Sequence, residues 1–352
     1  MKILHTADIH LRNVGDERWE ALEKLIEIGK KEKIALFLIS GDLFDKDVEG
    51  EKLRPHIRKT FSLKEFKIFI IPGNHDKDSY ERGWDFGEAI ILDDPFDPYE
   101  FENLRIVGFP FKSLNKEETY KELRKLKGIL KDDKDNILLY HGELLDSFFR
   151  REDFGEEGVE KYMPVKLSYF KDLNIKYVLA GHFHSKFNVW DLKNRRYFVY
   201  SGSPVSITKR ETGRRSVNLF EIGDIPRECP VDTFHYEEIK IKLDPFLPEE
   251  PLNIVRKKLG DVHEKAKIIL NVGGYINSAE IGMTEEQLKK KIKENLGSNV
   301  IEESYTFLDI KNVLEDELFK EFERKLSERG FDIERKKVLR EIAIKAMMEA
   351  GV

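Results

Sequence analysis

The sequence predicts a layered α/β fold: strands alternating with helices to about residue 235, then a smaller α/β unit and a helical tail. Two observations carry that reading. Five short apolar runs, Ile3-Leu4, Ala35 to Ile39, Ile68 to Ile71, Ile137 to Tyr140 and Tyr177 to Ala180, have the length and residue types of buried strands. Each is followed by residues that bind metals: Asp8-Ile9-His10, Gly41-Asp42, Gly73-Asn74-His75-Asp76, His141-Gly142 and Gly181-His182-Phe183-His184. Open sheets carry ligands beyond the carboxyl ends of their strands, so five such ends can converge on one crevice.

The remaining elements follow in chain order. Trp19, Leu22, Leu25 and Ile26 recur at helical spacing after Asp16, a residue suited to cap, so 19–31 reads as the crossover between the first two strands. Residues 51–63 and 116–131 read as helices, and Arg105 to Phe111 and Phe187 to Trp190 as strands. Beyond about 235, Ile239, Ile241 and Leu243 alternate with charges, and the proline-rich 245–251 reads as a linker. Ile254 to Leu259 is then a short helix and Lys267 to Val272 a strand. Thr284 and Gln287 form a capping box that opens a helix to Leu296, and Glu302 to Ile310 reads as a strand. The expected domains are therefore 1–235, 236–310 and a tail at 311–352. In the tail, Val313, Leu314, Leu318, Phe319, Phe322 and Leu326 make one apolar stripe. Val338, Leu339, Ile342, Ala343, Ala346 and Met347 make another.

The motifs point to metal chemistry. Asp, His and Asn offer oxygen and imidazole donors that suit manganese, iron or zinc, and no thiolate competes. In extended chain, residues i and i+2 point the same way, so Asp8 and His10 can reach one metal, as can either of His182 and His184. Asp42 is the natural bridging carboxylate. Two metals about 3.5–4 Å apart stabilise both the entering and the leaving oxygen in phosphate-ester hydrolysis. Singly, each segment is weak and reads as an ordinary turn or a buried histidine; their conjunction in this order is what points to a site. His5, His56, His235 and His263 have no such neighbours and read as structural or exposed.

These segments resemble the calcineurin-like metallophosphoesterase superfamily, whose pattern runs D-x-H, G-D-x-x-D, G-N-H-D/E, H and G-H-x-H, over roughly residues 1–222. Within it the chain is similar to SbcD-type DNA double-strand-break repair nucleases. The similarity lies in Lys2 to Leu11, Gly41-Asp42-Leu43-Phe44-Asp45, Leu139-Tyr140-His141-Gly142, Tyr200-Ser201-Gly202-Ser203-Pro204, Glu211-Thr212-Gly213 and the strand-like Ser216 to Ile222. The resemblance implies a β-sandwich flanked by helices and two divalent ions, expected to be manganese. It implies one ion on Asp8, His10, Asp42 and His184, and the other on Asp42, Asn74, His141 and His182. His75 would then serve the leaving group, with Asp76 behind it to fix its tautomer. It also implies DNA as substrate, cut 3′-to-5′ on duplex ends and internally on single strands, with an SbcC-type, SMC-like coiled-coil ATPase as partner. A homodimer is among the assemblies it allows. Residues 236–310 would cap the site and recognise DNA, and the tail would dock the ATPase. Two positions depart from the pattern: Asp45 stands where some branches carry a second catalytic histidine, and Leu11-Arg12 replaces Leu-Gly. A phosphatase or small-molecule phosphodiesterase, and a non-catalytic binding platform, are the competing readings; a complete ligand set argues against the platform.

Composition fits an intracellular enzyme. Cys229 is the single cysteine, which excludes an internal disulfide. The start runs straight into a strand with no charged-then-apolar leader, and no apolar run approaches the ~18 residues of a membrane span, so a cytoplasmic protein is expected. A net charge of −6 argues against nucleic acid until the bound dications are counted. Local basic stretches, Lys209-Arg210, Arg214-Arg215 and Arg82, are the expected DNA contacts.

Overall fold

The computed structural model describes residues 1–46, 48, 50–80, 84–147 and 162–351; Arg82 lies outside them. The chain divides into two compact units, Met1–Tyr236 and Glu237–Val352.

The first unit is a mixed α/β sandwich. One sheet orders β12 (Glu228–Val231), β11 (Arg215–Glu221), β1 (Lys2–Thr6), β2 (Leu36–Ser40), β3 (Lys67–Ile71) and β4 (Ala89–Ile91). The other orders β5 (Tyr99–Phe101), β6 (Leu104–Phe109), β7 (Asp135–His141), β8 (Tyr177–Gly181), β10 (Arg196–Tyr200) and β9 (Asn188–Lys193). Pairing is parallel through β1, β2, β3 and β4 and through β6, β7, β8 and β10, with antiparallel strands at the margins. The strands read as unbroken apolar runs because both faces are buried. Alternate residues Leu36, Leu38, Phe69, Ile71, Ile137 and Leu139 meet between the sheets. Phe37, Ile39, Ile68 and Ile70 pack outward against Trp19, Leu22 and Leu25 of α1 (Glu17–Glu32) and Leu53, Ile57 and Phe61 of α2 (Gly50–Phe61). Leu138 and Tyr140 do the same against Leu123 of α3 (Lys116–Lys125).

The expected single crevice is thus fed by two sheets: β1, β2 and β3 end at it from one, β7 and β8 from the other. Asp16 caps α1 as expected, accepting from Arg18 N and Trp19 N at 3.1 and 2.9 Å.

The second unit carries a three-stranded sheet, β13 (His235–Leu243, entering from the first unit), β14 (Ala266–Ile276) and β15 (Val300–Asp309). Val255 of α4 (Pro251–Gly260) and Leu288 and Ile292 of α6 (Glu285–Glu294) cover it, and the short α5 (Ser278–Ile281) precedes α6. Thr284 and Gln287 form the expected capping box. The tail folds as α7 (Lys311–Glu315), α8 (Glu317–Glu328) and α9 (Ile333–Glu349), with Val313, Phe319, Ile344 and Met347 in a core that also receives Tyr275. The expected stripes are only partly buried: Leu318, Val338 and Ile342 are 70%, 53% and 61% exposed. Asp316 ends α7 and caps α8, so the helical phase restarts there and turns Leu318 outward. Among the described residues no helix is long and apolar enough to cross a membrane.

Candidate metal centre

The motif residues sit at the strand ends; His141 is the last residue of β7, but four of the others do not project from extended chain. Asp8, His10, Asp42 and His182 have φ of 56°, 52°, 52° and 94°, in the left-handed region that side chains rarely adopt. Extended geometry therefore does not bring Asp8 and His10 together: β1 ends at Thr6, and the two are aimed by residues in left-handed conformation. Such residues cost about 1–3 kcal/mol each and persist where surroundings over-determine them. Here the β1 and β2 loops lace together, with Asp8 N to Gly41 O at 3.1 Å, His10 N to Asp42 O at 3.0 Å and Leu11 N to Leu43 O at 2.8 Å. Glycine is required at 73, where a Cβ would run into Asp42 Oδ1, and at 41, where it would run into the His141 ring.

The donor atoms converge. Asp8, His10 and His184 form one group with ligand atoms within 4.8 Å of one another, Asp8, Asp42 and His141 form a second, and His10, Asp45 and His75 form a third at the cluster's edge. Nε2 of His10 and Nε2 of His184 face each other at 3.4 Å. Asp42 Oδ1 accepts from His75 N at 2.9 Å, which turns Oδ2 between His10 Nε2 at 3.7 Å and His141 Nε2 at 3.4 Å. That oxygen is buried without a hydrogen-bond partner among the described residues, a costly state for a carboxylate unless a cation meets it. Asn74 Oδ1 lies 2.8 Å from His141 Nε2, and the His182 ring stands 5.4 Å from that of His141. Nitrogen and oxygen donors at these separations fit a pair of divalent ions.

Outer groups hold these ligands. His141 Nδ1 lies 2.8 Å from the Ser40 carbonyl oxygen, which places a hydrogen on Nδ1 and leaves Nε2 as the nitrogen turned to Asn74 and Asp42. Asp45, 7% exposed, turns Oδ1 to His75 Nδ1 at 3.6 Å and His10 Nδ1 at 3.8 Å, while Arg18 donates to Oδ2 at 2.5 Å and Arg12 also pairs with it. The carboxylate facing His75 is thus Asp45. Asp76 is engaged differently: Oδ1 accepts from Gly73 N at 2.7 Å, and Oδ2 from Leu43 N at 2.8 Å, Phe44 N at 3.2 Å and the Tyr80 hydroxyl at 2.7 Å. It ties the β3 loop to the β2 loop, which corrects the expected place behind His75.

Electrostatics agree with a cation site. Burial opposes ionisation of Asp42, yet the neighbouring His141, His10 and His75 hold its carboxyl well below the usual range. Burial likewise disfavours charge on His141, but Asp42 and Asp8 raise it to about 9. Burial and the Asp42 charge push Asp76 up to about 6. The centre favours added positive charge at Asp42, and a dication would displace the His141 proton.

The basic strip expected to meet DNA is split. Lys209 and Arg210 are exposed, whereas Arg215 is buried, donating to the Ser203 and Ser185 carbonyls at 3.0 and 3.1 Å and also to that of His184. His5 and His235 are buried and bonded to Ser40 Oγ and the Thr233 carbonyl at 3.1 and 2.9 Å, and His56 is exposed, in line with structural roles. The expected ligand and catalytic roles pass over two functional candidates. Asp45 carries a signal as the second acid of Gly41-Asp42-Leu43-Phe44-Asp45, and Glu211 only as part of Glu211-Thr212-Gly213.

The family model for calcineurin-like phosphoesterases matches residues 1–186, the part of the chain that holds all of these candidate ligands. The chain belongs to this family. It is a metal-dependent hydrolase, and the family's use of divalent metals agrees with the donor groups. The metallophosphoesterase is also 23% identical over 301 residues, 76% of the chain and 75% of the relative, to the D component of nuclease SbcCD from Staphylococcus saprophyticus. Among solved structures it is similar to TT1561 of Thermus thermophilus, with a TM-score of 0.39, 15% identity and coverage of 61% and 92% of the two chains. A dimetal phosphatase from Danio rerio gives a TM-score of 0.40, 12% identity and coverage of 62% and 91%.

Proposed function

We propose that this metallophosphoesterase is a manganese-dependent DNA nuclease of the SbcD type, cutting duplex ends 3′-to-5′ and single strands internally in double-strand-break repair, with an SMC-like coiled-coil ATPase as partner. The observation that carries the reading is the likeness to the D component of nuclease SbcCD, which extends over 76% of the chain and so beyond the region matched by the family model. Asp8, His10, Asp42 and His184 would hold one ion, and Asp42, Asn74, His141 and His182 the other, with the Asp42 carboxylate shared between them. Bound there, a divalent pair supplies Lewis acidity to the phosphate and lowers the pKa of water. His75, with a side chain 17% exposed at the edge of the cluster, donates a proton to the departing oxygen, and Asp45 holds its ring. Exposed Lys209 and Arg210 meet the DNA backbone, residues 236–310 recognise DNA, and the exposed apolar Val338 and Ile342, four residues apart on α9 of the tail, receive the ATPase.

Incubating the purified chain with manganese and labelled duplex, single-stranded DNA or p-nitrophenyl phosphate tests this. Chelator-sensitive cleavage of DNA is expected. Turnover of p-nitrophenyl phosphate alone would replace the nuclease reading with a phosphatase, and metal binding without turnover would leave a platform. A second expectation concerns Asp45→Asn, which keeps the shape and removes the charge. Turnover should fall about 10–100-fold, the usual cost of losing a group that orients a ligand histidine. A wild-type rate and metal isotherm would remove Asp45 from the machinery.

A further inference from the structure

Glu211 lies on the loop joining β10 to β11, 1% exposed, and the hydrolytic scheme above does not use it. A buried carboxylate needs partners, and those of Glu211 are unequal in kind. Oε2 accepts from Ile207 N at 2.8 Å, a contact that ties down its own loop. Oε1 is turned to His184 Nδ1 at 3.3 Å and takes Thr208 Oγ1 at 3.2 Å. Arg215 clamps the main chain on both sides of the pair, donating to the His184 and Glu211 carbonyls. On the far side of the His184 ring, Nε2 stands 3.4 Å from His10 Nε2 and 3.8 Å from Asp8 Oδ1.

We propose that Glu211 is a positioning residue that completes a carboxylate–histidine–metal relay, acting through His184 on the ion held by Asp8, His10 and His184. Accepting the Nδ1 hydrogen leaves the Nε2 lone pair for the metal, sets the ring plane and makes the imidazole a stronger donor. The simpler alternative is a loop anchor. An anchor requires only an acceptor for Ile207 N and a hydrogen-bond partner for Thr208 Oγ1, which the oxygen and the NH2 of a neutral amide also provide; it does not require a full charge directed at a ligand imidazole. The 201–215 segment then belongs to the metal centre, and Lys209-Arg210 is the exposed crest of a loop whose base is anchored on His184.

The inference rests on the two-ion assignment, so the test separates the two. Manganese is titrated calorimetrically into the chelator-stripped full chain, and His184→Ala marks which equivalent is lost with that ligand. In Glu211→Gln the marked equivalent is expected to weaken about 10–100-fold, with the other moving far less. Thermal unfolding in chelator reads the anchor role separately, because loss of an anchor lowers that midpoint without selecting one ion. Glu211→Asp keeps the charge with a shorter reach and should give an intermediate isotherm; it decides the matter if Glu211→Gln does not fold. Fewer than two equivalents in the wild-type chain would overturn the metal assignment. Two equivalents in wild type, with the variant isotherms superimposed on it or both equivalents weakened alike, would overturn the relay alone.

Discussion

Asp42→Ala is expected to lose more than one metal equivalent and to fall to background activity. The reason is the division of labour between its two oxygens. Oδ1 is taken by His75 N at 2.9 Å, so Oδ2 is committed to the gap between His10 Nε2 and His141 Nε2, one from each ligand group. Loss of a single donor that stabilises transition-state charge typically costs about 10²–10³-fold. Removing a carboxylate shared by two ions removes more than one such contribution, so the deficit should exceed that range. Metal analysis of the dialysed variant gives the more direct reading: near wild-type content would refute the bridge, even if activity were lost. Asp42→Asn is the companion, since it keeps an oxygen for His75 N while withdrawing the charge, and it should also lose metal.

Much of the first unit was legible because both faces of its central strands are buried, which writes each as an unbroken apolar run ending at a motif. What the runs do not encode is which sheet a strand joins. Ile137 to Tyr140 and Ile68 to Ile71 are alike in composition, yet they lie in different sheets, and only non-local pairing separates them. The ligand types were legible, but the backbone that aims them was not: Asp8, His10 and Asp42 are non-glycine residues in left-handed conformation, held there by the hydrogen bonds that interlace the β1 and β2 loops. The outer carboxylates were hidden for a related reason. Asp45 reaches His75 from 30 positions away and Glu211 reaches His184 from 27, whereas Asp76, adjacent to His75 in sequence, turns to the main chain of the β2 loop. In the tail, a period of 3.6 read through Asp316 misplaces Leu318, since the helix is interrupted there.

His75→Asn should separate proton transfer from metal binding. The residue touches the centre through its backbone N, which holds Asp42 Oδ1, and through Nδ1 of its ring, 3.6 Å from Asp45; asparagine preserves the first of these contacts. Two manganese equivalents and near-normal DNA affinity are therefore expected, while the rate on DNA falls about 10²–10⁴-fold, the range for loss of general acid help. The dependence on leaving group carries the argument further. A departing deoxyribose oxygen needs a proton, whereas p-nitrophenolate is already a stable anion, so the defect should shrink sharply on a p-nitrophenyl ester. If the variant is equally slow on both substrates, His75 orients the phosphate instead of donating to the leaving oxygen. If it loses metal, the ring belongs with the ligands, as the proximity of His10 at a centroid distance of 4.6 Å would then explain.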